Sequence, residues 1–174
     1  MGTQPAMTRI YEEIKQTKPL EVHGQEAHIT ILRTADVLSH TVERVLYPFG
    51  ISHEQFNVLR ILRGAGDSGL PTLEIANRMI SRSPNISRLM DKLIGKKLAR
   101  RIRSRQDRRV VVISITPEGT ELLVQLNRVV DQVFEKFPPM TKIEMETLLD
   151  LLDRIRERLA VKTAKEMSLE KTAT

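Results

Sequence analysis

Between Arg82 and Arg109 the chain carries eleven Lys or Arg residues against only Asp91 and Asp107, a local charge of +9 in a protein whose net formal charge is +6. The remainder is therefore acidic on balance, at −3. A positive charge focused in one 28-residue stretch concentrates field and draws polyanions, whereas the same charge spread evenly would only aid solubility. The nature of the polyanion follows from what the stretch lacks. Single strands and sequence-specific RNA sites are gripped by stacking bases on aromatic rings. The basic segment holds no aromatic residue, and the whole chain has four Phe, two Tyr and no Trp. Duplex DNA fits this chemistry better. A solvated basic face without a partner is the competing reading of the charge alone.

The elements around the basic segment decide how its side chains are presented. From Gln25 to Leu46 the apolar residues Ile31, Ala35, Leu38, Val42 and Val45 recur at helical spacing, ended by Pro48 to Gly50. Ser52 and Gln55 have the spacing of a capping box, and Ile51 and Phe56 that of a hydrophobic staple, so a helix is expected from Ser52 to the Gly64–Gly69 turn cluster. Pro71 suits the first turn of a helix about two turns long bearing Leu73, Ile75, Ala76 and Met79. Ser83 and Pro84 then read as a cap and first helical position, followed by an apolar face of Ile86, Leu89, Met90, Leu93 and Ile94. On a helical wheel Pro84, Arg88, Asp91 and Gly95 lie opposite that face, flanked by Asn85, Ser87 and Lys92. Slim residues near a helix N-terminus allow close approach to base edges, and Arg or Asn supplies paired hydrogen bonds there. An ordinary surface helix is the plainer reading of this segment alone.

After Leu98 the period changes. Arg101-Ile102-Arg103 alternates and Val110 to Ile115 is a β-branched run, so a hairpin is expected around Ser104 to Arg108, with Arg103, Arg105, Arg108 and Arg109 at its tip. Arginines on such a ribbon reach phosphates or a minor groove of negative potential. Thr116-Pro117-Glu118 restarts helix, which is expected to run to the Pro138-Pro139 break, and Thr141-Lys142-Ile143-Glu144 caps a last helix to about Ala160, with a frayed tail beyond Lys165. The apolar faces of the first long helix and of these two are too wide for one small core. A two-fold dimer is therefore expected, with a monomeric helical bundle as the alternative.

The 174 residues, 40% hydrophobic and 29% charged, predict one soluble domain, with room for two lobes. The absence of cysteine excludes disulfides, cysteine-ligated zinc and thiolate chemistry. No phosphate-binding glycine loop, nucleophile elbow or zinc-protease motif is present, so no enzyme is expected. His23, His28, His40 and His53 lack the spacing of two ligands on one helix, and no metal site is expected. Met1 to Leu20 mixes Glu12, Glu13, Lys15 and Lys18 into its only apolar stretch, which argues for a cytoplasmic protein without membrane contact. The six residues before Met7 receive no role.

Four stretches, ISHEQFNVLRIL, LPTLEIANRM, SPNISRLMDKLIGKKLARR and DRRVVVISITPEG, resemble the MarR-type winged helix-turn-helix transcriptional regulators from about Ile51 to Gly119. The resemblance implies a mainly α fold with a small β-hairpin wing: residues 8–47 and 117–165 form a dimerisation lobe and 48–116 the DNA-binding lobe. It implies a homodimer on a pseudo-palindromic operator, with the helix from Pro84 in the major groove and the wing in the minor groove, acting as a ligand-responsive repressor. Reading-helix contacts fall to Ser83, Pro84, Asn85, Ser87, Arg88 and Lys92, with Ser87 and Arg88 matching a Thr/Ser-Arg pair. The wing set is Arg103, Arg105, Asp107, Arg108 and Arg109; Arg108 is assigned to the minor groove and Arg109 to an ion pair with Asp107, the two roles being interchangeable. No cofactor is required, but a small aromatic or phenolic effector is implied at the seam between the first long helix and the helix after Ser52. The chain departs from the family at Lys97, where glycine is usual, so the turn into the hairpin is open to a different construction. Pro71 stands where threonine often opens the short helix. A non-catalytic interaction module docking an acidic partner on its basic hairpin is the alternative function.

Overall fold

A computed structural model describes residues 9–18, 20, 22–81, 85–103 and 110–172, with side chains described in all of these except His23 and residues 161–172. The element order is α1 (Arg9–Glu13), α2 (His23–Leu46), a 3₁₀ turn (Tyr47–Phe49), α3 (His53–Ala65), a 3₁₀ turn (Gly66–Ser68), α4 (Thr72–Arg78), α5 (Ile86–Gly95), β1 (Ala99–Arg103), β2 (Val111–Ile115), α6 (Pro117–Phe134) and α7 (Lys142–Thr172). This is the expected class: mainly helical, with one two-stranded antiparallel hairpin. The chain divides into two units, the first ending at Glu135 and the second beginning at Lys136.

The core of the first unit gathers Val42 and Leu46 of α2, Phe56, Val58, Leu59 and Leu62 of α3, Ile75 of α4, Leu89, Met90 and Leu93 of α5, Ile113 of β2, and Leu123, Leu126 and Val130 of α6. Apolar residues at helical spacing supply one buried stripe per helix, and burying them is the main favourable term. The expected caps are formed. Ser52 Oγ accepts from Gln55 N at 3.2 Å while Gln55 Oε1 accepts from Ser52 N at 3.2 Å, and Ile51 and Phe56 are both buried. In the second unit Thr141 N and Oγ1 each donate to Glu144 Oε2 at 2.8 Å, which holds the Glu144 carboxyl below its usual range.

Four boundaries differ from the expectation. Helix α5 starts at Ile86 with Asn85 at the cap, rather than at Ser83-Pro84, which lie outside the described residues. Pro71 precedes α4 as its cap instead of entering its first turn, with an extended ψ of 148°. Helix α6 ends at Phe134, so Phe137 is not helical, and the turn before Pro138-Pro139 opens early because a residue preceding proline avoids helical backbone. Helix α7 continues to Thr172, where fraying was expected, since the stretch after Ala160 is free of Gly and Pro and rich in good helix formers.

The turn into the hairpin takes the left-handed helix ending that glycine favours, although lysine stands there. Leu98 N donates to Leu93 O at 3.0 Å and Lys97 N to Ile94 O at 2.9 Å, the paired bonds of a Schellman ending, with Lys97 in the left-handed region at φ 60°. Lysine thus occupies a backbone conformation that favours glycine. Because that conformation costs an L-residue about 1–2 kcal/mol, Lys97→Gly should stabilise the chain by about 0.5–1 kcal/mol after the added unfolded-state entropy is subtracted. Thermal melting should show a midpoint higher by about 2 °C. A lower midpoint would mean that the lysine side chain contributes more than its backbone costs.

Candidate nucleic-acid interface

Helix α5 buries one face and presents the other. Leu89, Met90 and Leu93 are buried, whereas Asn85, Ser87, Arg88, Asp91, Lys92 and Gly95 are exposed, which is the division read from the helical wheel. The described members of the expected reading set, Asn85, Ser87, Arg88 and Lys92, therefore share one solvent face. Immediately afterwards the hairpin pairs Ala99 with Ile115 and Arg103 with Val111. Along β1 Arg100, Arg101 and Arg103 are exposed, while Val112, Ile113 and Ser114 of β2 are buried, Ile113 within the core. The wing residues Arg105, Asp107, Arg108 and Arg109 lie outside the described residues.

The hairpin root is held by backbone bonds that leave no slack. Leu70 N donates to Ile113 O at 2.9 Å and Ile113 N to Leu70 O at 2.8 Å, a single isolated bridge beside β2. Gly69 makes this possible: its φ is 65°, and a Cβ there would lie 2.6 Å from Ile113 O. On the far side Thr116 Oγ1 donates to Lys97 O at 2.7 Å and accepts from Gly119 N at 3.0 Å, and Thr116 N donates to Leu98 O at 3.1 Å. One threonine thus caps α6 and ties it to the end of α5, with Gly119 pressed against the Leu98 carbonyl. Ahead of α5, Asn57 Oδ1 accepts from Ile80 N at 3.0 Å, fixing the turn between α4 and α5 to α3.

Two of the basic residues counted in the sequence have partners within the protein. Lys96 Nζ donates to Gly50 O, linking the end of α5 to the turn after α2, and Arg101 Nη2 donates to Asp91 Oδ1 at 2.5 Å, linking β1 to α5. Residues ten and forty-six positions apart leave no periodic trace, so neither tie was visible beforehand. A cleft of about 890 Å³ lies between α2, α3 and α5, lined among others by Tyr47, Ile51, Gln55, Leu89, Lys92 and Lys96. Among the described residues no group of three or more His, Asp or Glu is placed to hold a metal ion, and no helix is long and apolar enough to cross a membrane.

Residues 41–126 match the family model for the transcriptional regulator SarA/Rot. The uncharacterized HTH-type transcriptional regulator YpoP of Bacillus subtilis (strain 168) is 30% identical over 113 residues, 62% of this chain and 76% of its own. The crystal structure of a MarR transcription factor from Planctomyces limnophilus is 31% identical, with a TM-score of 0.57 over 82% of this chain and 99% of that one. The chain belongs to the MarR-type winged helix-turn-helix regulators. The fold is further matched by the S. aureus MepR–DNA complex at 22% identity and a TM-score of 0.69, covering 76% of this chain and 95% of that one. As a MarR-type protein the chain is a DNA-binding transcriptional regulator and not an enzyme. In MarR-type terms α4 and α5 are the helix-turn-helix and β1–β2 the wing.

Proposed function

We propose that the protein is a cytoplasmic homodimeric repressor that reads a pseudo-palindromic operator and releases it when a small aromatic or phenolic effector binds. The observation that carries this reading is the face of α5, where Ser87, Arg88 and Lys92 stand exposed together directly before an arginine-bearing hairpin. In this reading Arg88 contacts a base edge and Lys92 phosphate, Asn85, Ser87 and Arg103 contribute beside them, and Ser83, Pro84, Arg105, Arg108 and Arg109, outside the described residues, complete the contact set. The MepR–DNA complex supports DNA as the ligand of this fold.

Dimerisation is supported by the apolar side chains the first unit leaves in solvent along α2, with Leu32 57% and Val37 50% exposed, and by those of α7, where Leu149 and Leu159 are 53% and 61% exposed. Large exposed apolar patches mark interaction surfaces. The cleft beside Tyr47 and Leu89 is the proposed effector site, since it is part apolar and also touches Lys92 on the reading helix. An effector there shifts the DNA-binding equilibrium only by its difference in affinity for the two conformations.

Arg88→Ala tests the reading role. On a selected operator it should weaken binding by about 1–3 kcal/mol and relax preference at one base position in each half-site, with little change on random duplex. Equal losses on operator and random DNA, measured by fluorescence anisotropy, would make Arg88 a phosphate contact and move base reading elsewhere.

A further inference from the structure

Asp91 is the one acidic residue between Asn85 and Arg103, among seven lysines and arginines. It stands on the exposed face of α5, three residues after Arg88, and not on the face that meets the core. Its carboxylate accepts from Arg101 Nη2 at 2.5 Å, while both side chains remain more than half exposed, at 60% and 54%. An ion pair so open to water contributes little to folding stability. Its larger effect is on the charge presented to a polyanion. The carboxylate both cancels one cation of the patch and sets a like charge against phosphate on the face that approaches the duplex.

We propose that Asp91 tempers the affinity of the interface: by holding Arg101 in an internal ion pair, it withholds that guanidinium from the phosphate backbone and weakens binding to every duplex, operator and random alike, by a common factor. Phosphate contacts carry no sequence information and supply nearly all non-specific affinity. Lowering that common term weakens the hold on all DNA and makes it less steeply salt-dependent, while the base contacts and the discrimination they supply are untouched. Asp91 does this from within the reading helix, where the penalty is imposed equally on every duplex. The inference rests on the DNA-reading role proposed above for α5.

The experiment compares wild type, Asp91→Asn, Arg101→Gln and the double variant on a random 30-bp duplex and on the best duplex recovered by selection, each over a salt series. Asp91→Asn should bind random duplex roughly tenfold more tightly, and its log–log salt slope should steepen by about 1.8 for a dimer that gains one phosphate contact per copy. Operator binding should tighten by a similar factor, leaving the ratio of operator to random affinity unchanged. Arg101→Gln alone should leave the wild-type slope unchanged, and the double variant should return to it. A merely structural pair predicts the opposite, weaker binding of Asp91→Asn to both duplexes with an unaltered slope, and that result overturns the proposal. So does a slope flattened by Arg101→Gln alone, because Arg101 would then already be engaged with phosphate in the wild type. If the wild type binds neither duplex, the DNA-reading role itself is wrong, an outcome distinct from a wild type that binds and an Asp91→Asn variant that behaves identically.

Discussion

Raising the salt concentration from 50 to 200 mM should weaken operator binding by about four orders of magnitude, with log K falling against log salt at a slope near −7. This is the largest single effect expected of the protein. It follows from counting which cations are free to meet phosphate. Of the described basic residues in the patch, Lys96 is engaged by Gly50 O and Arg101 by Asp91, while Arg88, Lys92, Lys97, Arg100 and Arg103 are exposed. If one of these five reads a base, four per copy are left for phosphate, which makes about eight neutralised phosphates per dimer and roughly 0.9 of slope for each. Anisotropy titrations at five salt concentrations measure the slope directly. A slope shallower than about −2 would leave no room for a two-fold clamp on the backbone and would favour docking of an acidic protein through a small contact.

Gly119→Ala should destabilise the fold by about 3 kcal/mol, at the upper end of the range for overpacking a close-packed site. A Cβ at Gly119 would meet the Leu98 carbonyl oxygen at 2.1 Å and Ile115 Cγ1 at 2.9 Å. Neither obstacle is a flexible chain end. The Leu98 carbonyl belongs to the α5 ending, and moving it breaks the bond from Thr116 N and pulls Leu98 from the core, while moving α6 away breaks the Thr116 cap on Gly119 N. The midpoint of thermal unfolding should drop by about 6–12 °C for a chain of this size. Gly64→Ala is the matched control, since nothing lies within 4 Å of its Cβ and the site is helical. That variant should gain up to about 1 kcal/mol from helix propensity. Equal melting of the two variants would mean that the contact at Leu98 relaxes freely and that Gly119 is present for another reason.

The parts of the fold that could be read from the sequence are those whose cause is local. Ser52 with Gln55, Thr116 with Gly119 and Thr141 with Glu144 each satisfy orphan helix donors within three residues, so spacing alone announces them. The face of α5 was legible for the same reason, because a helix of fixed period must turn Arg88 away from Leu89 and Leu93. The end of α6 was placed too late at Phe137 because apolar periodicity continues past the last helical turn, and the end of α7 too early because fraying has no sequence mark as clear as a glycine. Lys97 in a left-handed turn ran against propensity; the buried pairing of Leu93 and Leu98 overrides one residue's backbone preference. The ties from Lys96 to the Gly50 carbonyl and from Arg101 to Asp91 join separate elements, and a count of charges treats the three charged residues as free.

Selection of bound sequences from a random duplex pool tests the account most directly, because it asks whether two copies present their α5 helices to one face of DNA. The predicted outcome is enrichment of an inverted repeat whose half-sites are centred about 10 bp apart, the roughly 34 Å that separates successive major grooves, with the enrichment lost in Arg88→Ala. Recovery of single, unpaired half-sites, or of no common sequence at all, would contradict it.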